Sequence, residues 1–415
     1  MTKSNLEHNA LIILGAPESG AFALTRTLNL LGVDLGKGKM IPADRRHIFG
    51  CWQNSEITRE NEKLLDNLYS GFDDICPLPD GWQAAFPVLS HKQHILNIIE
   101  RDFMDAPLWA VKDPLICRLA SLWQNILDEI KARPLYLIMV RNPMEAAASL
   151  SEKEEFPLGK SYLLWLRYML EAEKATRGKN RIFVSYESLL NNWKEVVKKI
   201  EQTFDLSFPV DMEEAAPDIE NFLHGGLRRH IFDDAALENA EGISQPVKDA
   251  YAALKMAEKG YEKKCAEIMA GVHAELKKAD LLYLSSFQEL RDRYEITHIS
   301  LTERNRDFER MEKEWQGSFH EVAEEVRALR DEWAEIRDAG RFAPSSSPPA
   351  KAPSGGGLWL LGKIITKCFK SPLMMVSSLS AGNFITLWKA MRAEDSRHIN
   401  SNIETYLQAK KNRET

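Results

Sequence analysis

Short apolar runs alternate with helix-like stretches along the first part of the chain. The run at 11–14 (LIIL) ends at a glycine, as a buried parallel strand does. Residues 21–31 then carry apolar side chains at helical spacing. Further strands are predicted at 134–140 (PLYLIMV) and 181–186 (RIFVSY), and Pro143 is well placed to begin a helix. Strands separated by helices predict a three-layer α/β fold with a parallel sheet.

The pattern changes from about Ser244, where strand-like runs thin out and helical spacing takes over. Every seventh position is hydrophobic along one stretch: Phe287, Tyr294, Leu301, Phe308, Trp315, Val322, Leu329 and Ile336. A second seam runs through Leu290, Thr297 and Met311, then shifts by one residue to Phe319, Val326 and Trp333. This heptad pattern predicts a helix over 284–338, roughly 80 Å long, in a coiled coil. The alternative is a long helix folded back on the first domain.

The end of the chain differs in composition from both preceding parts. Residues 341–357 (RFAPSSSPPAKAPSGGG) predict a flexible linker. The tail from 358 to 415 is apolar and basic at its start, with Lys363, Lys367 and Lys370 on one helical face. It is expected to lie on an anionic membrane surface or to dock on a partner or on the coiled coil. The predicted divisions are therefore 1–240, 241–340, 341–357 and 358–415.

Composition excludes several classes of protein. Of the 415 residues, 28% are charged and 44% hydrophobic, and basic and acidic residues are interspersed at a net charge of −7, which argues against a nucleic-acid partner. None of the five cysteines forms a C-x-x-C pair, so neither a disulfide framework nor a bound metal is expected. A reduced, cytoplasmic location fits best, with a peripheral membrane contact through the tail. The apolar run at 10–14 is too short for a signal-peptide core, and no stretch reaches the length of a membrane span.

A glycine-containing loop at 15–22 (GAPESGAF) follows a predicted strand and opens a predicted helix. Backbone N–H groups in such a turn, together with the helix N-terminus, favour a bound phosphate. Gly15 and Gly20 match the glycines of the Walker A loop of nucleotide hydrolases. The lysine and hydroxyl residue that this motif requires next are replaced by Ala21 and Phe22. The substitution argues against ATP or GTP chemistry, and against a P-loop kinase.

The stretch LIILGAPESGAFALTRTLNLLGVDLG resembles the phosphosulfate-binding loop of bacterial sulfotransferases, which use 3′-phosphoadenosine 5′-phosphosulfate (PAPS) as donor. Four further segments match this family in order: WAVKDPLICRLASLW, PLYLIMVRNPMEAAASL, SYLLWLRYMLEAEKATRGKNRIFVSYESLL and FLHGGLRRH. The resemblance covers roughly residues 10–240. It implies a parallel sheet of the P-loop nucleotide-binding type. It also implies sulfuryl transfer from PAPS to a hydroxyl or amine acceptor, such as a glycan or another cell-envelope molecule.

The resemblance assigns roles to individual residues. The backbone amides of Ser19, Gly20, Ala21 and Phe22 are expected to hold the 5′-phosphate. Arg141, at the carboxyl end of a predicted strand, and Ser149 are expected to bind the 3′-phosphate, because a guanidinium can hold phosphate oxygens in a bidentate way. A surface salt bridge is the alternative for Arg141. Lys112 is expected to approach the sulfuryl group or, alternatively, to help Asp113 pin the loop.

Two departures from the family pattern bear on activity. Relatives usually carry Arg or Lys at Glu18 and an acid at Gln53. A carboxylate about 4 Å from a donor oxygen costs roughly 4 kcal/mol at an effective dielectric of 20, unless it points away or a cation such as Arg26 or Lys112 neutralises it. With the usual base missing, His47, Glu56 and Asp113 are the candidate substitutes. The second hypothesis is therefore a degenerate domain that acts as a non-catalytic assembly or regulatory module through its coiled coil.

Overall fold

A four-stranded parallel sheet forms the centre of the first part of the chain. The computed structural model describes residues 8–44, 49–224 and 226–338. Its strands are β1 (Asn9–Leu14), β2 (Leu108–Lys112), β3 (Arg133–Val140) and β4 (Arg181–Ser185). They pair in the order β2-β1-β3-β4, every pair parallel. The predicted α/β fold is confirmed, and β2 is a strand that the apolar runs did not predict.

Helices connect the strands and continue beyond them. They are α1 (Ala21–Leu30), α2 (Ser55–Asn67), α3 (Phe86–Asp102), α4 (Ala120–Glu129), α5 (Pro143–Glu154), α6 (Leu158–Thr176), α7 (Tyr186–Phe204), α8 (Met212–Leu223), α9 (Asp234–Asn239), α10 (Gln245–Glu258) and α11 (Glu262–Asp338). As predicted, α5 begins at Pro143, after the side chain of Asn142 has capped it by accepting from the N–H of Met144 at 2.9 Å.

The sheet has an apolar core on each face, which makes the three layers. Side chains alternate along β1: those of Ala10, Ile12 and Leu14 enter one hydrophobic cluster, and those of Leu11 and Ile13 enter the other. The first cluster draws on the helices α2, α3, α4, α6 and α10, and the second on α1, α7 and α8. Burial on both faces explains why these strands are continuously apolar in the sequence.

The helix α11 is continuous over its 77 residues, from Glu262 to Asp338. The chain forms two compact units, and the boundary between them falls within this helix. The first unit ends at Gln288 and the second starts at Glu289. In the first unit, Cys265, Met269 and Val272 of α11 are buried in the core. The predicted helix over 284–338 is confirmed; its pairing as a coiled coil stays a prediction.

The heptad face of α11 exposes large apolar side chains. Their exposed fractions are 47% for Phe287, 72% for Tyr294, 52% for Leu301, 63% for Phe308 and 46% for Met311. Such a row costs free energy in water unless another surface covers it.

No helix among the described residues is both long and apolar enough to cross a membrane. The predicted linker at 341–357 and the basic tail at 358–415 lie outside the described residues, as does His47.

Candidate functional site

The loop between β1 and α1 leaves no room for a side chain at two positions, Gly15 and Gly20. A Cβ on Gly15 would lie 2.5 Å from the Oγ of Ser19. Gly20 has a φ of +83°, and a Cβ there would lie 2.3 Å from the ring of Tyr186. Glu18 also has a positive φ, 62°. The two glycines of the motif therefore let the chain turn tightly against Ser19 and Tyr186, at the carboxyl end of β1.

Some loop amides are engaged within the protein and others remain for a ligand. The N–H of Ser19 donates to the carbonyl of Ala16 at 3.0 Å, and that of Gly15 donates to the Sγ of Cys117 at 3.3 Å. The Ser19 amide is engaged within the loop, and its role in holding a phosphate stays a prediction. The N–H groups of Gly20, Ala21 and Phe22 have no acceptor among the described residues, because α1 begins here and its first-turn donors have no helical partner.

The hydroxyl of Ser19 is a further polar group of this loop without a hydrogen-bond partner among the described residues. Ser19 is 2% exposed. Buried hydroxyls are normally paired, since burial without a partner costs free energy. An anion held on the loop would supply acceptor oxygens for it.

One cavity of about 390 Å³ brings the predicted residues together. Its lining includes most of the residues predicted for donor binding and catalysis: Ser19, Gly20, Ala21, Phe22, Lys112, Asp113, Arg141 and Ser149. Gly15 is not part of the lining and instead makes room for Ser19. The cavity lies where β1, β2 and β3 end, the position at which open parallel sheets bind ligands.

Arg141 lies beneath the loop rather than on the surface. It is 5% exposed, and its Nη1 donates to the carbonyl of Glu18 at 2.8 Å. Its Nε donates to Glu145 at 3.1 Å, and its guanidinium lies 4.8 Å from the ring centroid of Tyr186. Glu145 also accepts from Arg228 at 2.5 Å. Because one carboxylate serves two guanidiniums, this cluster keeps a net positive charge.

Lys112 is one of the cations that line the cavity. Its Nζ donates to the Oε1 of Gln53 at 2.7 Å. Gln53 in turn donates to Thr58 at 3.2 Å. Burial lowers the pKa of Lys112, since desolvation disfavours the ammonium. Unlike Arg141, Lys112 makes no ion pair with any carboxylate in the described parts of the chain.

Asp113 is held by neighbours. Its carboxylate accepts from Asn61 at 2.9 Å and from the N–H of Leu115 at 3.0 Å. Burial raises its pKa. These bonds favour the alternative in which Asp113 pins the loop. The other candidate base, Glu56, is absent from the cavity lining and pairs with Arg101 at 3.2 Å.

Glu18 forms an ion pair with Lys153, a partner that the sequence did not suggest. The Nζ of Lys153 lies 2.8 Å from each of its carboxylate oxygens. The two cations suggested by the sequence have other direct contacts: Arg26 lies 4.3 Å from the ring centroid of Trp52, and Lys112 donates to Gln53, although the charges of Lys112 and Glu18 still interact. Lys153 lies one helical turn beyond Ser149 on α5, so a search at i, i+4 from that serine would have found it.

Glu62 is the second lining residue that the sequence reasoning missed. It is an exposed residue of α2 that borders the cavity, one turn beyond Thr58, which also lines it. Partial burial raises its pKa, and the nearby charges of Asp113 and Asp66 add to the effect. A carboxylate with a raised pKa at a cavity edge is suited to accept a proton.

Acidic side chains outnumber basic ones in the cavity lining. Among the described residues, the lining contains six acidic side chains, Glu18, Asp44, Glu62, Asp113, Glu152 and Glu154. It contains four basic ones, Lys112, Arg141, Lys153 and Arg229.

No family model and no curated protein matches the chain. Among solved structures, the sulfotransferase domain from the Synechococcus PCC 7002 olefin synthase matches with 18% identity and a TM-score of 0.34, over 64% of this chain and 98% of that one. The sulfotransferase domain from the curacin biosynthetic pathway matches with 14% identity and a TM-score of 0.32, over 63% and 98%. Both belong to the kind of domain that the sequence motifs resemble.

Proposed function

We propose that the first 240 residues bind PAPS and transfer its sulfuryl group to a hydroxyl or amine acceptor. The observation that carries the proposal is the environment of the Lys112 ammonium. Its ammonium lies in the cavity against the neutral amide of Gln53 instead of a carboxylate. Its charge is therefore available to stabilise negative charge that develops on a reacting group.

The donor's two phosphate ends fit two different parts of the cavity. The N–H groups of Gly20, Ala21 and Phe22 and the hydroxyl of Ser19 are donors suited to the 5′-phosphate. Arg141 and Ser149 line the same cavity and are suited to the 3′-phosphate. We infer no metal in this reaction scheme, because the cationic side chains supply the positive charge.

The transfer needs one bond made and one broken. A lone pair on the acceptor attacks sulfur, while the bond between sulfur and the phosphate bridging oxygen breaks and 3′,5′-bisphosphoadenosine leaves with that electron pair. Lys112 stabilises the charge on the leaving oxygen. Glu62 accepts the acceptor's proton, a role that suits its raised pKa. The pKa of Asp113 is raised as well, but both of its oxygens already accept hydrogen bonds.

A second function is favoured by the acidic excess of the cavity lining. PAPS is strongly anionic, so six lining acids against four bases weaken its binding. In this alternative the domain has lost transfer activity, binds nucleotide weakly or not at all, and serves as an assembly or regulatory module through α11.

Titration of the purified chain with 3′,5′-bisphosphoadenosine by calorimetry tests donor binding. We expect saturable binding that Arg141→Ala abolishes. The matched control is Arg133→Ala, at the opposite end of β3, where the exposed Arg133 donates to the carbonyl of Phe204 at 3.0 Å. Binding that survives Arg141→Ala would refute this site.

Transfer itself is tested with radiolabelled PAPS and a mixture of glycan and small hydroxyl acceptors. Labelled product that disappears in Lys112→Met supports the transferase. Weak or absent bisphosphoadenosine binding, together with no labelled product from any acceptor, favours the non-catalytic module.

We also propose an assembly and a location for the chain. The exposed heptad face of α11 suits a second copy of the chain, since the same row of side chains would then cover itself. The four cysteines of the described residues are all free, which fits the cytoplasm. A membrane or partner contact through the tail at 358–415 remains part of this proposal.

A further inference from the structure

Two histidines and a glutamate converge on the side of the first unit formed by α2 and α3. The Nδ1 of His91 lies 3.0 Å from the Oε2 of Glu60, and the Nδ1 of His94 lies 3.2 Å from the same oxygen. These three atoms all lie within 4.8 Å of one another. None of the three residues lines the donor cavity.

The fold itself brings the three side chains together. His91 and His94 are three residues apart on α3, so they share a helical face, and Glu60 faces them from α2. Buried Ile57 and Leu64 of α2 and Ile95 of α3 belong to one apolar cluster, which fixes the two helices against each other. The site is therefore largely formed before any ligand binds, which lowers the cost of binding.

Two imidazoles direct the same ring nitrogen at one oxygen, where each ring can either donate a hydrogen bond as a neutral imidazole or bind a shared cation. A divalent cation would replace both protons with a single centre of charge. Metal–ligand bonds of about 2.0–2.1 Å in a tetrahedral site put ligand atoms roughly 3.3 Å apart. The observed separations of 3.0 and 3.2 Å are close to that spacing.

Neighbouring groups complete the features expected of a metal site. The Nδ2 of Asn67 lies 2.8 Å from the Nε2 of His91, the ring atom directed away from Glu60. Rotating this amide by 180° would present its oxygen to the Nε2–H of a metal-bound imidazole and so orient the ring. Lys63 donates to the other oxygen of Glu60 at 2.9 Å. The His94 side chain is 56% exposed, which leaves a side open for water to complete the coordination.

We propose that Glu60, His91 and His94 form a binding site for a divalent transition-metal ion. Two imidazoles and one carboxylate suit Zn²⁺ best among the abundant ions, since Mg²⁺ and Ca²⁺ prefer oxygen ligands alone. Its role is structural: the ion joins α2 to α3. The site is independent of PAPS binding.

The test is calorimetric titration of the full chain, purified without an affinity tag and treated with a chelator, with ZnCl₂ near neutral pH. We expect saturable binding of one ion and a higher Tm with zinc present. His94→Ala should weaken the affinity at least tenfold, and its exposure makes loss of folding improbable, which circular dichroism checks. His298→Ala, an exposed histidine of α11, is the matched control and should bind zinc like the wild type.

A second readout uses Co²⁺, whose visible absorption in a four-coordinate site should appear in the wild type and disappear in His94→Ala. Absence of saturable zinc binding to the wild type would overturn the proposal. Equal zinc affinities of the wild type and His94→Ala would overturn it as well, since the ion would then lie elsewhere.

Discussion

Glu18 and Lys153 form an ion pair in which the lysine Nζ lies 2.8 Å from both carboxylate oxygens, and both side chains border the same cavity. The side chains are 17% and 18% exposed, so water screens the pair only partly. The pair brings no net charge to the loop, whereas an arginine at position 18 would add one. We therefore expect the loop to bind an anion less well when Lys153 is removed.

The first prediction follows from this pairing. Lys153→Ala should weaken bisphosphoadenosine binding at least tenfold, about 1.4 kcal/mol, because Glu18 is then left opposite the ligand's phosphates. In the double variant Glu18→Ala/Lys153→Ala the net charge returns to the wild-type value, and affinity should recover most of the loss. Calorimetric titration of both variants and of Glu18→Ala closes a double-mutant cycle. If the double variant binds no better than Lys153→Ala, the two residues do not act through each other.

Replacing Glu18 also separates the two proposed functions. Glu18→Arg moves the local charge by two units beside an unchanged Lys153. If the natural domain is degenerate, the substitution should raise bisphosphoadenosine affinity at least tenfold, about 1.4 kcal/mol. If the domain is an active transferase, wild-type binding is already in the micromolar range and the substitution should change it little. Titration of this one variant against the wild type distinguishes the two.

The second prediction concerns Gly20. In Gly20→Ala the methyl group meets the ring of Tyr186 in addition to an unfavourable positive φ. Gly81→Ala is the matched control, since Gly81 has a φ of +73° and no described atom lies within 4 Å of its Cβ position. The control should lose about 1–2 kcal/mol of unfolding free energy from the backbone alone. Gly20→Ala should lose more in denaturant titrations, and it alone should weaken nucleotide binding, because Tyr186 supports Arg141.

The features predicted from the sequence are those that depend on residues adjacent in the chain. Strands β1, β3 and β4 stand out as apolar runs because both of their faces are buried. The strand β2 (LWAVK) did not stand out, since its apolar run ends at Lys112 beside an Asp-Pro turn and not at a glycine. The position of the phosphate loop followed from a strand, two glycines and a helix that are adjacent in the chain.

The parts of the site that escaped prediction depend on distant contacts. Lys153 and Glu18 are 135 residues apart in sequence, and only the adjacency of β1 and β3 brings the start of α1 close to α5. The bond from Asn61 to Asp113 likewise spans 52 residues. Helical spacing indicates which residues share a face, but it does not indicate which face meets a loop from another strand.

The third prediction concerns the heptad face of α11. Deleting 284–340 should lower the oligomeric state measured by light scattering, because the exposed apolar row would lose its partner. A finer test places a charge in the seam: Leu301→Glu and Phe308→Glu together should have the same effect. Thr302→Glu, on an adjacent position outside the seam, is the control and should leave the mass unchanged. A wild-type chain that is already monomeric would contradict the second-copy proposal.

The last prediction concerns the pH dependence of Lys112. Burial lowers the pKa of its ammonium below the ordinary lysine value of 10.5. A lowered pKa means that the charged form is complete below it and is lost as pH rises through it. Affinity for PAPS, measured by titration from neutral to alkaline pH, should therefore fall on the alkaline side before an ordinary lysine would lose its proton.

Gln53 gives this prediction its control. In Gln53→Glu a carboxylate would replace the amide oxygen that lies 2.7 Å from the Lys112 Nζ. The carboxylate stabilises the ammonium and raises its pKa, so the fall in affinity should move to higher pH. The affinity near neutral pH should drop, since the new charge opposes the donor. In Lys112→Arg, whose guanidinium keeps its charge throughout this range, the alkaline fall should be absent. An alkaline fall at the same pH in all three proteins would show that another group titrates, and would remove Lys112 from the centre of the site.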